Sequence, residues 1–254
     1  MTLIYTLEHA HEWAEFSGDY NPIHFDVNKA KAMGIEGLTV HGMRALLDMK
    51  KSQDFPSDTA DYYRFNARLR NPIKCHTEYK IVKNNNQCQL IENDMDSCCF
   101  SARLERISPP VEQVTTKNLT LSADELLNIR SEYPFMKNVC EWSFLDSVLF
   151  RLIVKSPEIF EAIKVKLPDL HAGTLTDIFL EMPVVQTHHE IVFSRQFLLS
   201  SPGSNDFHYG MLPLLVVGDY KQGLVVRIAM QGYYFTHSYI TTAITLKLKP
   251  MALS

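Results

Sequence analysis

The sequence lacks the features that mark several large classes of proteins. It has five cysteines and no Cys-x-x-Cys pair, so neither a disulfide framework nor a zinc ribbon is expected. No apolar run is long enough to span a bilayer, and the residues after Met1 lack the apolar core of a signal peptide. We therefore expect a cytoplasmic protein with free thiols and without a membrane partner.

The charge balance excludes a strongly basic or strongly acidic protein. The formal net charge is -4 at pH 7 and no dense basic stripe runs along the chain, so no nucleic-acid partner is expected. Hydrophobic residues make up 46% of the 254 residues, which is enough for one large core. A chain of this length also has room for two domains of about 120 residues each.

Apolar spacing in the first half predicts three helices and then a run of strands. Two helices cover 6–17 and 27–33, and a third opens at His41-Gly42 and ends before Pro56. The strands, which are separated by turn residues, are predicted over 60–70, 76–84, 87–93 and 97–107. Helices followed by antiparallel strands indicate an α+β fold in which a sheet wraps around the long third helix.

The second half repeats this order of elements after a linker that runs from Ser108 to about Ser122. Ser122 and Glu125 have the spacing of a capping box at the start of a helix, and an apolar helix that ends near Pro157 follows. Four further strands are predicted at about 189–200, 210–218, 222–233 and 236–249. We therefore expect two domains of similar architecture, residues 1–110 and residues 120–254.

Two polar sites in the second half have a structural explanation. Asp146 comes just before an apolar helix segment, where a carboxylate at a helix start fits at least as well as a catalytic role. His188 and His189 are predicted to form a turn that precedes the strand at 189–200. Neither position needs a catalytic explanation.

The stretch from Phe16 to Asp26 carries the densest set of polar and turn residues. Asp19 and His24 lie on either side of Pro22, so a turn rather than a helix is needed to bring them together. A histidine that gains and returns a proton, beside a carboxylate that holds a water, is suited to general acid–base catalysis. On these residues alone, an ordinary turn with a surface histidine is the commoner explanation.

A second segment, Val40-His41-Gly42-Met43, opens the apolar helix of the first half. Backbone N–H groups at a helix N-terminus are unpaired and carry partial positive charge, and glycine lets a ligand approach them closely. An oxyanion that develops on a thioester carbonyl is suited to this position. Tight packing of the helix on the sheet is the alternative reason for Gly42.

Taken in order, these segments resemble the MaoC-like dehydratases, which are also called (R)-specific enoyl-CoA hydratases. The shared pattern is Phe-Ser-Gly-Asp-x-Asn-Pro-x-His-x-Asp over 16–26, then Ala30 and Gly34, then His41-Gly42-Met43, and the resemblance spans about 5–107. It implies the hot-dog fold, in which an antiparallel sheet wraps around a central helix. The whole chain is then expected to be an α+β double hot-dog.

The resemblance also implies roles for individual residues. Asp19 and His24 match the catalytic pair that holds and activates a water, and Gly42 matches the residue whose N–H binds the thioester oxygen. Ser17 and Asn21 match positions that shape the loop. No metal and no organic cofactor is required. Residues 120–254 lack this motif, so we expect a degenerate second hot-dog that completes the pocket.

The expected reaction is the (R)-specific hydration of a trans-2-enoyl-CoA to a (3R)-hydroxyacyl-CoA, or the reverse dehydration. Two alternatives stay open. The substrate carrier is an acyl carrier protein in the first, as in fatty-acid or polyketide synthesis. In the second, the chain is a non-catalytic acyl-thioester binder or a scaffold subunit, although the retained Asp19 and His24 count against this. Further association into a homodimer is compatible with each of these functions.

Overall fold

The structure is a computed structural model that describes residues 2–55, 61–110, 115, 117–137, 139–167, 172–199, 205–219, 221–235 and 238–249. Its helices are α1 (Leu7–Ser17), α2 (Val27–Ala32), α3 (Gly42–Lys51), α4 (Ala123–Glu132), α5 (Glu141–Val154), α6 (Pro157–Lys164), α7 (Leu175–Glu181) and α8 (Gln196–Leu199), with a short 3₁₀ turn at Pro22–His24.

In each half, most of the strands follow the helices. Those of the first half are β1 (Thr2–Ile4), β2 (Thr39–Val40), β3 (Tyr62–Leu69), β4 (Ile73–Lys74), β5 (Glu78–Asn84), β6 (Gln87–Glu92) and β7 (Ser97–Ile107). Those of the second half are β8 (Leu119–Leu121), β9 (Val184–Ser194), β10 (Phe207–Met211), β11 (Leu215–Asp219), β12 (Gly223–Phe235) and β13 (Ser238–Leu248). The three helices and four long strands predicted for the first half are confirmed, as is the capping box between Ser122 and Glu125.

One antiparallel sheet of 11 strands runs through both halves in the order β1-β5-β6-β7-β3-β9-β13-β12-β10-β8, and β11 pairs with β12. The halves join where β3 pairs with β9, with Tyr62 opposite Ser194 and Arg68 opposite His188. The helices α3 and α5 are buried, and side chains of both halves share one hydrophobic core. This is the predicted α+β hot-dog fold, and the division into residues 1–110 and 120–254 stays a prediction.

Several predictions for the second half are wrong. Strand β9 begins at Val184, so His189 lies inside a strand and is fully buried rather than in a turn. Asp146 lies within α5 and is also fully buried, because this helix is apolar on nearly all sides and begins earlier, at Glu141. The strand predicted at 210–218 is interrupted near Pro213, a residue that cannot donate a backbone hydrogen bond to a neighbouring strand.

Within the described residues, no helix combines the length and the apolar character that crossing a membrane requires. The five cysteines, Cys75, Cys88, Cys98, Cys99 and Cys140, are free thiols, as the sequence predicts.

Candidate active site

The loop that carries the candidate residues begins at a sharp end of α1. Gly18 adopts a left-handed conformation with φ of 82° and its N–H donates to the carbonyl of Ala14 at 2.7 Å, which terminates the helix. The hydroxyl of buried Ser17 then accepts a hydrogen bond from the N–H of Asp19 at 3.1 Å. Ser17 therefore fixes the direction in which Asp19 leaves the helix.

Asn21 holds the middle of the loop with three hydrogen bonds. Its N–H donates to Oδ1 of Asp19 at 3.3 Å, and its own Oδ1 accepts from the N–H of Ile23 at 3.3 Å. The side-chain Nδ2 donates to the carbonyl of Val184 in β9 at 3.2 Å. Asn21 therefore shapes the turn and also fixes the loop to the second half of the chain, a contact that the sequence did not indicate.

His24 is buried, and its hydrogen bonds determine which ring nitrogen can act as a base. Its Nδ1 lies 3.1 Å from the carbonyl oxygen of Thr39 and 3.0 Å from the Thr39 hydroxyl, which itself donates to the carbonyl of Ile23. Since both neighbours are acceptors, Nδ1 carries the proton and Nε2 keeps its lone pair. Burial and the nearby His41 lower the pKa of His24 to about 3, so the imidazole is neutral at neutral pH.

Asp19 is partly buried and lines the same cavity as His24. Burial raises the pKa of this carboxyl above its usual value, while His24 and the N–H of Asn21 oppose the shift. A carboxylate with a raised pKa binds and releases protons more readily near neutral pH than an ordinary aspartate does. Asp19 and His24 thus offer an anionic acceptor and a neutral base beside one another.

His41 is a third member of this polar cluster, and the sequence identified it only as part of the family motif. Its Nε2–H donates to the carbonyl of Asp19 at 2.8 Å, and its ring lies against that of His24 with centroids 3.7 Å apart. The Nδ1 atom is buried and has no hydrogen-bond partner among the described residues. Burial lowers the pKa of His41 to about 3, so the ring stays neutral and acts as a rigid support for Asp19 and His24.

Gly42 begins α3 immediately after His41 and also lines the cavity. The N–H groups in the first turn of a helix have no intrahelical acceptor, so they are available to a substrate oxygen. A Cβ atom at Gly42 would lie 2.5 Å from Cδ2 of Leu69 and 3.6 Å from Cζ of Phe100. The side chains of Leu69 and Phe100 therefore leave no free space for a Cβ atom here unless Leu69 moves.

We expect Gly42→Ala to lower kcat/KM for the reaction proposed below at least tenfold, with little loss of stability. Leu69 can move because the clash involves the end of a flexible side chain, but it also lines the cavity and would be displaced within it. Steady-state kinetics and thermal unfolding of the variant provide the measurement. A Gly42→Ala protein with the wild-type rate would show that close approach to this helix N-terminus is not needed.

The cavity has a volume of about 340 Å³ and is lined by residues of both halves. The first half contributes the polar cluster, and the second half contributes an apolar wall from α5, α7, β9 and β13, composed of Phe150, Val154, Leu175, Phe179, Val184, Ile244 and Leu246. Exposed Arg70 and Lys249 also line it, which places positive charge at the opening. None of these second-half residues belongs to a local motif, so the sequence did not identify them.

Comparisons with known proteins give one family match, over part of the chain, and several distant structural likenesses. Residues 3–80 match the family described as the MaoC like domain, and no curated protein matches the chain in sequence. A structure described as a MaoC-like dehydratase is 14% identical, with 98% of this chain and 96% of that chain covered and a TM-score of 0.45.

Two further solved structures show the same range of similarity. A conserved protein of unknown function with a hot dog fold from Alicyclobacillus acidocaldarius is 10% identical, with coverages of 93% and 91% and a TM-score of 0.43. A tesB protein from Mycobacterium avium subs paratuberculosis is 10% identical, with coverages of 84% and 88% and a TM-score of 0.43.

Proposed function

We propose that this chain, whose residues 3–80 match the MaoC like domain family, adds water to a trans-2-enoyl thioester or removes it from the corresponding 3-hydroxyacyl thioester. One observation carries the proposal. The lone pair of His24, the carboxylate of Asp19 and the N-terminus of α3 at Gly42 border a single cavity whose far wall is apolar. A base, a water-binding anion and an oxyanion site are the groups that this reaction needs.

In the hydration direction, a water lies between the Asp19 carboxylate and Nε2 of His24. His24 takes a proton from this water as the oxygen attacks C3, and negative charge moves to the thioester oxygen, where the N–H of Gly42 stabilises it. The imidazolium, stabilised by the neighbouring Asp19, then returns the proton to C2. The water is thereby added across the double bond without an external acid or base, and dehydration follows the reverse steps to give or consume the (3R)-hydroxyacyl thioester.

Coenzyme A is the carrier that the cavity opening favours. Exposed Arg70 and Lys249 supply positive charge where the phosphates of a nucleotide carrier would lie. The apolar wall of the second half is suited to the acyl chain. An acyl carrier protein presents its thioester on a phosphopantetheine arm without the adenosine phosphates, so a comparison of the two carriers tests this part of the proposal separately.

Two assays on crotonyl-CoA test the reaction. Loss of the conjugated double bond is followed by ultraviolet absorbance, and free thiol is measured in parallel samples. We expect loss of the double bond without release of thiol. Release of thiol would indicate a thioesterase instead, and binding without either change would indicate a non-catalytic acyl-thioester binder. The same measurement with a crotonyl-acyl carrier protein is expected to give a lower kcat/KM.

A further inference from the structure

A buried polar network lies behind the cavity and joins four elements of the two halves. The ammonium of Lys50 in α3 forms an ion pair with Asp146 in α5, and both side chains are fully buried. Asp146 also accepts a hydrogen bond from the hydroxyl of Thr242 in β13 at 2.7 Å. The Nε2 atom of His189 in β9 lies 3.0 and 3.1 Å from the two carboxylate oxygens. The carboxylate is therefore surrounded by donors on three sides.

The directions of these hydrogen bonds follow from the charge on Asp146. Burial alone would raise the pKa of Asp146, but His189 and Lys50 hold it well below the usual range, so it accepts and cannot donate. His189 must then donate from Nε2. Burial lowers the pKa of His189, although Asp146 opposes the shift, so the ring is neutral and Nδ1 keeps its lone pair. This nitrogen is an acceptor that faces Gln186.

Gln186 connects the network to the cavity. Its Nε2 lies 3.3 Å from Nδ1 of His189, 3.4 Å from the carbonyl oxygen of His188 and 3.7 Å from Sδ of Met43. All three neighbours are acceptors, which fixes the amide nitrogen on that side and leaves Oε1 as the group that is not engaged by the network. Gln186 itself lines the cavity.

Gln186 lines the same cavity as the proposed reacting groups and contacts the elements that carry them. Two residues before it on β9, Val184 accepts the side-chain hydrogen bond of Asn21 in the catalytic loop. On its other side, Met43 directly follows Gly42 in α3. The Gln186 side chain therefore contacts α3 one residue after Gly42, and the strand that carries Gln186 also holds the loop of Asp19.

We infer that Gln186 is a specificity-determining residue whose Oε1 accepts a hydrogen bond from the 3-hydroxyl of a hydroxyacyl thioester. The inference rests on the proposed function. Oε1 can only accept, so it discriminates in favour of an acyl group that carries a donor. The hydroxyacyl form has such a donor at C3, whereas the enoyl and saturated forms have none there. His189 is the positioning residue, because it holds the amide in the orientation that presents Oε1.

Thr187 provides a matched comparison on the same strand. It lines the cavity too, but its hydroxyl donates to the carbonyl of Thr245 at 3.3 Å and lies 3.1 Å from Nδ1 of His188. The proton of this hydroxyl and one of its two acceptor lone pairs are thereby engaged within the protein. Removal of the Thr187 hydroxyl should therefore leave recognition of the substrate hydroxyl unchanged.

The test compares equilibrium dissociation constants for (3R)-3-hydroxybutyryl-CoA and butyryl-CoA, measured by calorimetry in an Asp19→Asn background that prevents turnover. Without further substitution we expect the hydroxyacyl ligand to bind about fivefold more tightly, as one net hydrogen bond provides. Gln186→Leu should reduce this ratio to near one, whereas Thr187→Val should keep it. Gln186→Met gives a second variant of similar length if Gln186→Leu does not fold.

Two results would overturn the inference. Equal weakening of both ligands by Gln186→Leu would place the hydrogen bond on the pantetheine arm, and an unchanged ratio would exclude any role in recognising the hydroxyl. Because binding does not require turnover, the outcome is independent of the proposed reaction. A chain without hydratase activity in which Gln186 still sets the ratio would refute the reaction and leave the assignment of Gln186 intact.

Discussion

Asp19→Asn should lower kcat/KM for crotonyl-CoA hydration at least a hundredfold, and His24→Ala should do the same. In the proposed reaction both residues act directly on the water, and loss of a general acid–base group commonly costs two to four orders of magnitude. Asparagine has the shape of aspartate, so the hydrogen bond that Asp19 accepts from Asn21 at 3.3 Å can be kept while the charge is lost. Stability should therefore change little in Asp19→Asn.

Matched controls lie beside both residues. Asp26 is the second aspartate of the motif, but it is exposed and its carboxylate accepts from the N–H groups of Asn28 and Lys29 at the start of α2. Asparagine caps helices equally well, so Asp26→Asn should retain wild-type activity and stability. His11 is exposed and its ring lies against Phe25, so His11→Ala controls for the removal of an imidazole near the loop.

The dependence of activity on pH provides an independent test of Asp19 and His24. Because burial raises the pKa of Asp19, the carboxylate form is lost at a higher pH than for an ordinary aspartate, and activity should fall as the pH decreases through that value. The profile of Asp26→Asn should keep this acidic limb. Near-wild-type rates in Asp19→Asn and His24→Ala would contradict the site assignment, whatever the shape of the profile.

The turn that carries Asp19 and His24 could be predicted from the sequence because its contacts are local. Ser17, Asp19 and Asn21 bond to backbone groups two residues away, and such short-range turns have recognisable residue preferences. The order of this loop and the His41-Gly42 helix start along the chain carried the resemblance to the family. The sequence could not show the hydrogen bonds of Nδ1 to Thr39, which leave Nε2 of His24 with its lone pair.

The network behind the cavity could not be predicted because its contacts join distant positions. Asp146 and His189 are 43 residues apart, and Lys50 and Asp146 are 96 apart. No spacing rule links such residues before the sheet is assembled and β3 pairs with β9. A polar His-His pair next to Glu190 has the composition of a turn, yet burial within β9 gives His189 a partner that a turn would not provide.

Lys50→Met should lower the free energy of unfolding by about 3–5 kcal/mol, as the loss of one member of a buried ion pair does. Methionine fills a similar volume, so the cost arises mainly from the Asp146 charge, which keeps only His189 and Thr242 as donors. Urea unfolding followed by circular dichroism gives the measurement. The neighbouring Lys51 is exposed, and Lys51→Met should change stability by less than about 0.5 kcal/mol.

The loss of stability in Lys50→Met should depend on pH, whereas a loss caused by a packing defect should not. Without Lys50, the Asp146–His189 pair gains a proton more readily in the folded protein, so its folded-state pKa rises and the deficit of the variant shrinks as the pH falls. The deficit relative to wild type should therefore be smaller at pH 5 than at pH 8. A deficit that does not vary with pH would assign the lost stability to packing around the substituted side chain instead of to the unpaired Asp146 charge, and Lys50→Met with Asp146→Leu should then fail to recover it.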